Sequence, residues 1–311
     1  MKIALDAMGG DYAPNQVVAG AAHYLHSGGG AQIILVGIGE QLQPLLAAAE
    51  LTGKVGVVHA PQVVGMHEHP TKALKEKRES SIAVGFELLA KEQADAFASA
   101  GNTGAMLVGS MFSLKPVEGV LRPTISTMIP TVTGGIALLL DVGLNSDCKP
   151  EQLNQFAVMG SVYAQEILGI DQPKVALLNI GEEEGKGNLL AQATYPLLKS
   201  NSRIHFTGNV EGRDVFMGKA DVMVCDGFTG NIILKMAESL FPITQQEKVQ
   251  SDYFSRFNFE HYGGTPVLGI SKPVIIGHGI SRAQAFTNMI RLAEQMVQTD
   301  ALQKMRTVLT S

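Results

Sequence analysis

The sequence contains no tryptophan, only two cysteines and no long hydrophobic run. Cys148 and Cys225 are far apart and form no CxxC pair, which is typical of a reducing compartment and argues against a zinc site. The apolar run from Ile136 to Leu140 is far too short to cross a bilayer. Asp6 interrupts the apolar start of the chain, so we expect no secretory signal.

An excess of positive charge is also absent, since the 311 residues carry a net charge of −5. Nucleic-acid binders need a basic surface, so this class of protein is disfavoured. A local basic patch remains compatible with the composition, and Lys72, Lys75, Lys77 and Arg78 form one basic run. The length allows one large or two medium domains with an ample hydrophobic core.

A strand, a polar glycine turn and a helix recur along the chain, most clearly in residues 220–240. Residues 222–224 form a short apolar run typical of a buried strand, and apolar residues recur at helical spacing from residue 232 onward. Between them lies the turn 226–231, in which Thr229 is the expected helix cap. Because free amides at a helix N-terminus attract anions, this pattern favours an anion site over an ordinary turn.

Similar polar turns follow other predicted strands. They span residues 6–11, 101–104, 179–188, 207–212 and 277–279. The alternation predicts an α/β protein with a mostly parallel sheet, covered by helices, and a ligand cleft at the carboxyl ends of the strands. The sequence shows no dinucleotide glycine spacing, P-loop order or nucleophile elbow. This pattern suits oxyanion binding and charge stabilisation more than covalent catalysis.

Several smaller features have two interpretations. His67, Glu68 and His69 could bind a metal, but a polar loop is the simpler interpretation. The acidic run 182–184 is either a solvated loop or a set of metal ligands. Cys225 beside the key turn could be a nucleophile, although a free cysteine is more often buried and structural.

Five motifs taken in order resemble the phosphate acyltransferases of bacterial phospholipid synthesis. They are LDAMGGD at 5–11, SAGNTG at 99–104, NIGEE at 179–183, CDGFTGN at 225–231 and IGHG at 276–279. The resemblance covers nearly the whole chain. It implies a three-layer α/β/α, isopropylmalate-dehydrogenase-like fold in a single domain over 1–311. Whether this domain forms two lobes around a cleft is not specified. We expect a helical excursion at about 241–262.

The resemblance also implies an activity and its partners. An acyl group would pass reversibly from acyl-acyl carrier protein to inorganic phosphate, giving acyl phosphate for phosphatidic acid synthesis. The expected enzyme is a cytoplasmic homodimer that works at the inner face of the membrane and hands its product to a membrane glycerol-3-phosphate acyltransferase. We expect no cofactor, no metal and no nucleic acid.

Motif positions supply the candidate site residues. The expected catalytic residues are Lys186, Asn231 and Asp226. The expected substrate-binding residues are Asp6, Gly9, Gly10, Asp11, Arg78, Ser80, Ser81, Asn102, Thr103, Gly104, Asn209, Thr229, Gly230 and His278. Of these, Arg78, Ser80 and Ser81 lie outside the motifs and are included because two hydroxyls at a helix start behind an arginine could bind a phosphate. Carrier-protein docking is assigned to Lys72, Lys75 and Lys77, because an acyl carrier protein is acidic and its dock should be basic.

Two departures from the family pattern qualify these expectations. Leu144 replaces a smaller residue in the Asp-Val-Gly-Leu-Asn motif at 141–145, and the segment 241–261 is short and rather polar. This segment argues against direct membrane binding, although its aromatic residues Tyr253, Phe254 and Phe257 are compatible with shallow insertion. The alternatives are a nicotinamide-dependent dehydrogenase, a non-catalytic lipid or carrier-protein binding module, and a phosphotransacetylase acting on short acyl-CoA.

Overall fold

The computed structural model describes residues 1–310. The strands are β1 Lys2–Asp6, β2 Gln32–Gly37, β3 Gly56–His59, β4 Ala96–Ser99, β5 Thr124–Pro130, β6 Ile136–Leu140, β7 Lys174–Asn179, β8 His205–Glu211, β9 Val222–Val224, β10 Thr265–Leu268 and β11 Val274–Ile276. The helices are α1 Asn15–His26, α2 Gly39–Ala48, α3 Pro70–Glu76, α4 Ser81–Ala90, α5 Thr103–Ser113, α6 Pro150–Glu166, α7 Leu189–Ser200, α8 Gly227–Gln246, α9 Asp252–Ser255, α10 Ala283–Gln298 and α11 Ala301–Thr310.

The chain divides into two compact units. The first unit comprises Met1–Pro116 and Phe259–Gln298, and the second comprises Val117–Asn258 and the chain from Thr299 onward. Each unit therefore receives a segment that lies late in the sequence. Residues 241–262 form the end of α8, the short helix α9 and a turn of 3-10 helix at Phe259–His261.

The strands of the first unit lie in the order β3-β2-β1-β4-β11-β10. All neighbours are parallel except β10, which pairs antiparallel with β11. In β1, every residue after Lys2 is buried. Because successive side chains of a strand point to opposite faces, both faces of this sheet are covered. Helices α4 and α10 contact its central strands.

The strands of the second unit lie in the order β5-β6-β9-β7-β8. Only β5 is antiparallel to its neighbour. All three residues of β9 are buried, and α6 packs on β6, β7 and β9. The carboxyl ends of the parallel strands β6, β7 and β9 thus emerge at the same edge of this sheet.

The predicted α/β class, with a mostly parallel sheet and helices, is confirmed. Three elements were not expected from the sequence, namely α3, β10 and α11. The basic run at 72–78 predicts a docking surface but no helix, whereas most of it forms α3 with Pro70 in its first turn. Among residues 1–310, no helix combines the length and the apolar composition needed to cross a bilayer.

Candidate functional site

Asp6 joins two polar turns in the first unit. Its Oδ2 accepts a hydrogen bond from Ser99 Oγ at 2.6 Å, and its Oδ1 accepts one from the Met8 amide at 3.0 Å. Ser99 Oγ in turn accepts from the Gly101 amide at 2.9 Å. Burial raises the pKa of Asp6, and hydrogen bonds from Ser99 and Ser81 oppose that rise. The carboxyl therefore fixes the ends of β1 and β4 to each other.

Glycine is required where these turns meet. A Cβ at Gly9 would lie 2.5 Å from Asp6 Oδ2 and 2.7 Å from the Gly101 amide nitrogen. The Asp11 amide donates to the carbonyl of Gly279 at 2.7 Å, which brings in the turn after β11. In this unit, the structure thus brings together the turns at 6–11, 99–104 and 277–279, which are three of the turns that the sequence predicted to line one ligand cleft.

Asn102 supports a neighbouring loop as well as its own turn. Its Oδ1 accepts from the Ala105 amide at 2.9 Å and caps α5. Its Nδ2 donates to the carbonyls of Gly65, Met66 and Glu68, at 3.0, 3.2 and 3.0 Å. Both ends of this buried side chain are occupied, so Asn102 holds the loop at 65–68 that precedes α3.

The other predicted residues of the first unit differ in exposure. Ser80 and Ser81 are buried, and Ser80 caps α4 by accepting from the Ala83 amide at 3.3 Å. The ring of His278 lies 4.5 Å from that of Phe259. The exposed members are Asp11, Thr103 and Arg78, and Gly10 and Gly104 are half-buried.

The predicted basic dock lies on and beside α3. Lys72 and Lys75 are exposed. Lys77 instead donates to Glu68 Oε1 at 2.5 Å and to the Val63 carbonyl at 2.8 Å, so its charge is used within the unit. The ion pair also explains why the pKa of Glu68 is lowered. No group of three or more histidine, cysteine or acidic residues within 1–310 is placed to hold a metal.

In the second unit, the turn between β9 and α8 differs from its prediction in one respect. The helix cap is Asp226, not Thr229, because Asp226 Oδ1 accepts from the Thr229 amide at 2.9 Å. The Thr229 hydroxyl donates to Asp226 Oδ2 at 2.9 Å. An aspartate and a threonine are both good caps, and the start of the helix at Gly227 decides between them.

This turn is built on the loop that follows β6. A Cβ at Gly230 would lie 1.8 Å from the carbonyl oxygen of Asp141, so only glycine fits there. The Gly227 amide donates to the Asn145 carbonyl at 2.7 Å, and Asn231 Nδ2 donates to the Val142 carbonyl at 3.1 Å. The predicted catalytic residue Asn231 is therefore exposed to solvent, and its side chain also holds the loop at 141–145.

Asp141 organises that loop and was not among the predicted site residues. Its carboxylate is fully buried. Oδ1 accepts from the amides of Gly143 and Leu144, both at 3.0 Å. Oδ2 accepts from the Asn145 amide at 2.7 Å and from Asn145 Nδ2 at 2.6 Å. Burial raises the pKa of Asp141, and these hydrogen bonds oppose that rise. In the sequence, the Asp-Val-Gly-Leu-Asn motif at 141–145 is the feature from which this role of Asp141 could have been predicted.

Lys186 lies in the long turn between β7 and α7. Asn179 Nδ2 donates to the Lys186 carbonyl at 3.0 Å, and Asn209 Nδ2 donates to the Glu183 carbonyl at 2.9 Å. The Lys186 side chain is 53% exposed, and its ammonium group lies 3.9 Å from Glu183 Oε1. The backbone of the loop is thus held by amide side chains, while the lysine ammonium remains accessible to a ligand.

A cavity of about 410 Å³ lies beside these turns in the second unit. Its polar lining includes Asn179, Asn188, Asp226 and Thr229. Cys225 also borders it, and its predicted burial is confirmed because only 3% of the residue is exposed. Burial raises the pKa of the Cys225 thiol well above its ordinary value, so the group remains a thiol rather than a nucleophilic thiolate.

Known proteins match the chain along almost its full length. A family model described as "Fatty acid synthesis protein" matches residues 1–304. The phosphate acyltransferase of Dictyoglomus turgidum is 45% identical over 325 residues, covering 98% of this chain and 96% of the relative. The phosphate acyltransferase of Desulforamulus reducens is 46% identical over 316 residues, covering 96% and 94%.

Solved structures show the same fold at low identity. A phosphotransacetylase from Streptococcus pyogenes matches with a TM-score of 0.67 and 19% identity, covering 95% of this chain and 94% of that one. A branched-chain phosphotransacylase from Enterococcus faecalis matches with a TM-score of 0.64 and 18% identity, covering 96% and 99%.

The full-length relatives define the class of this protein as an enzyme, a transferase of acyl groups in lipid synthesis. More particularly, the chain belongs to the fatty acid synthesis protein family, that of the phosphate acyltransferases.

Proposed function

We propose that this enzyme transfers a fatty acyl group from acyl-acyl carrier protein to inorganic phosphate, giving acyl phosphate and free carrier protein in a reversible reaction. The observation that carries the proposal is the set of polar turns around the second-unit cavity. Amide and hydroxyl groups line the cavity, and the exposed Lys186 precedes the lining residue Gly187 in the same turn, a combination that suits a phosphate and a developing oxyanion. The extensive identity with phosphate acyltransferases supports the same choice of acceptor.

The proposed chemistry needs positioning more than a strong base. A phosphate oxygen attacks the thioester carbonyl carbon, the carbon–oxygen bond forms, and the carbonyl π electrons move onto oxygen. The tetrahedral intermediate then collapses, the carbon–sulfur bond breaks, and the thiolate takes up a proton from phosphate or solvent. A thiol with a pKa of about 8.5 is a good leaving group. Holding phosphate against the carbonyl supplies much of the acceleration.

The second-unit residues have distinct roles in this proposal. Lys186 neutralises the phosphate or the tetrahedral oxyanion, with help from the Asn231 side chain. Both carboxylate oxygens of Asp226 are engaged by Thr229, so Asp226 acts by fixing the turn and the start of α8. Asn209 and Gly230 likewise hold the substrate-binding backbone in place.

The first-unit residues form a substrate-binding surface in the same proposal. Substrate contacts come from the exposed and half-buried members, which are Gly10, Asp11, Arg78, Thr103, Gly104 and His278. The remaining members shape the turns that carry these groups, and they are Asp6, Gly9, Ser80, Ser81 and Asn102. This division follows from burial and from the internal hydrogen bonds already described.

Thiol release tests the proposed activity directly. We expect phosphate-dependent release from palmitoyl-carrier protein, measured beside palmitoyl-CoA and acetyl-CoA under the same conditions. Release with acetyl-CoA alone would make the enzyme a phosphotransacetylase. If well-folded protein releases no thiol from any of the three donors, the transfer reaction is wrong and a binding module becomes the better description.

We also propose that the carrier protein docks on the basic surface of α3, where Lys72 and Lys75 are exposed. Reversing both charges to glutamate should raise KM for the carrier substrate about tenfold at low salt, because exposed charges steer an acidic partner. KM for an acyl-CoA donor should change much less. Added salt should shrink the difference between wild type and variant, since it screens surface charges.

Lys54→Glu provides a matched control, because Lys54 is an exposed lysine of the same unit outside α3. An equal rise in KM for Lys54→Glu would show a general charge effect and would remove the α3 dock. The third predicted docking residue, Lys77, is left unchanged because its ion pair with Glu68 supports the loop before α3.

Assembly and location follow the same proposal. The exposed apolar residues Phe228, Ile232 and Met236 recur every four residues on α8, which supports a covered surface and hence a homodimer. A cytoplasmic enzyme that visits the inner face of the membrane could pass acyl phosphate to a membrane glycerol-3-phosphate acyltransferase. Phe257 takes no part in such contact, since it is 7% exposed and packs on Phe216.

A further inference from the structure

The second-unit cavity is lined by aliphatic side chains as well as by the polar turns. Besides the exposed Ile180, which follows β7 directly, its apolar lining consists of Leu153, Leu177, Leu178, Leu190, Ala191 and Ile233. These side chains come from α6, β7, α7 and α8, so four elements of the unit enclose the space. A volume of about 410 Å³ lies within the usual range of small-molecule sites, about 300–1,000 Å³.

The distribution of polarity in this cavity matches an acyl donor. One part of the lining presents amide, hydroxyl and carboxylate groups from Asn179, Asn188, Asp226 and Thr229. Among the lining residues Asp226 is the only charged one, and both of its carboxylate oxygens accept from Thr229. Apart from two glycines and the Cys225 thiol, the other lining residues are aliphatic, which favours a methylene chain.

A second cavity of about 490 Å³, in the first unit, is the competing location for the chain. It has apolar walls that include Phe86, Val108 and Phe112, but Lys75 and Arg78 also line it. None of the polar glycine turns contributes to its lining. Two cations in the lining suit a charged partner better than a fatty acyl chain.

We infer that the second-unit cavity receives the acyl chain, with the thioester carbonyl at the polar turns and the methylene groups against Leu190 and Ile233. The cavity thereby determines which chain lengths the enzyme accepts. This inference rests on the proposed transfer to phosphate, and it adds the residues that select the donor.

Filling the cavity tests this assignment. Ile233 and Leu190 are half-buried, so a larger side chain at either position can enter the cavity without replacing a fully buried residue. For Ile233→Phe, we expect kcat/KM for palmitoyl-carrier protein to fall at least tenfold relative to butyryl-carrier protein. Each methylene that loses its apolar contact costs about fourfold in binding, so two displaced methylenes suffice.

Val108→Phe is the matched control, because Val108 is a half-buried residue that lines the other cavity. Its palmitoyl-to-butyryl ratio should stay within about twofold of the wild-type ratio. A drop for Val108→Phe with none for Ile233→Phe would move the chain to the first unit and overturn the inference. Equal effects, or no effect from either variant, would also overturn it. Leu190→Phe replaces Ile233→Phe if circular dichroism shows that the latter is unfolded.

Fatty-acid binding separates this inference from the proposed reaction. If the wild type releases no thiol from any donor, the transfer reaction fails, but binding of cis-parinaric acid still reports on the cavity. Ile233→Phe should then weaken that binding about tenfold and Val108→Phe should not. Unchanged binding in Ile233→Phe would reject the cavity as the chain site.

Discussion

Replacing Asp141 with alanine is expected to lower the free energy of unfolding by about 3 kcal/mol or more. The substitution removes the acceptor of three backbone amides and one side-chain amide in the loop at 141–145. A buried donor without a partner costs about 1–3 kcal/mol. The loop also supports Gly227 and Asn231, so loosening it should reduce activity as well.

Urea unfolding of two further variants distinguishes the carboxylate from the mere presence of a side chain. Asp141→Asn keeps one acceptor oxygen but places an amide group beside two donors, so an intermediate loss is expected. Asp147→Ala, at an exposed aspartate close in sequence, should change the unfolding free energy by less than about 0.5 kcal/mol. If the free energy of unfolding of Asp141→Ala lies within 1 kcal/mol of the wild-type value, the structural role assigned to the buried Asp141 is wrong.

Removing the Lys186 side chain is expected to reduce kcat by about 10²–10³, the typical cost of deleting one group that stabilises an oxyanion. Stability should hardly change, because the side chain is 53% exposed and its nearest acid is 3.9 Å away. Lys186→Arg keeps the charge and should retain more activity than Lys186→Ala. The measurement is phosphate-dependent thiol release at saturating palmitoyl-carrier protein.

Lys199→Ala is the control for Lys186, since Lys199 is an exposed lysine that pairs with Glu184 in the same region. Its kcat should stay near the wild-type value. If the kcat of Lys186→Ala stays within twofold of the wild-type value, the role proposed for Lys186 is wrong. Backbone amides and Asn231 would then be the groups that bind the phosphate or the oxyanion.

Local pattern was enough to predict the alternating elements and the polar turns at the ends of the strands. Buried strands are short apolar runs, and parallel strands place their carboxyl ends at one edge of a sheet. The turns at 6–11, 99–104 and 277–279 accordingly meet through Asp6, Gly9 and Asp11. The family resemblance supplied the activity, which the alternation of elements could not.

The sequence could not supply contacts that depend on distant backbone groups. Asn102 binds three carbonyls that lie 34–37 residues earlier in the chain, and a side-chain amide gives no sign of such partners. Asp141 was not predicted, because its carboxylate oxygens accept from backbone amides of the loop at 143–145 and the sequence does not give the path of that loop. The capping error at Thr229 has a different cause, since two adequate caps lie three residues apart and propensity alone does not rank them.

The contact between Gly230 and Asp141 has a consequence for recombination among relatives. A Cβ at 230 would sit 1.8 Å from the Asp141 carbonyl, so the backbones of these two segments must match each other. A chimera with a crossover between residues 145 and 225 would join a loop from one parent to a turn from another. Libraries that exchange 141–145 and 225–231 as one block should yield far more folded members than libraries that cut between them.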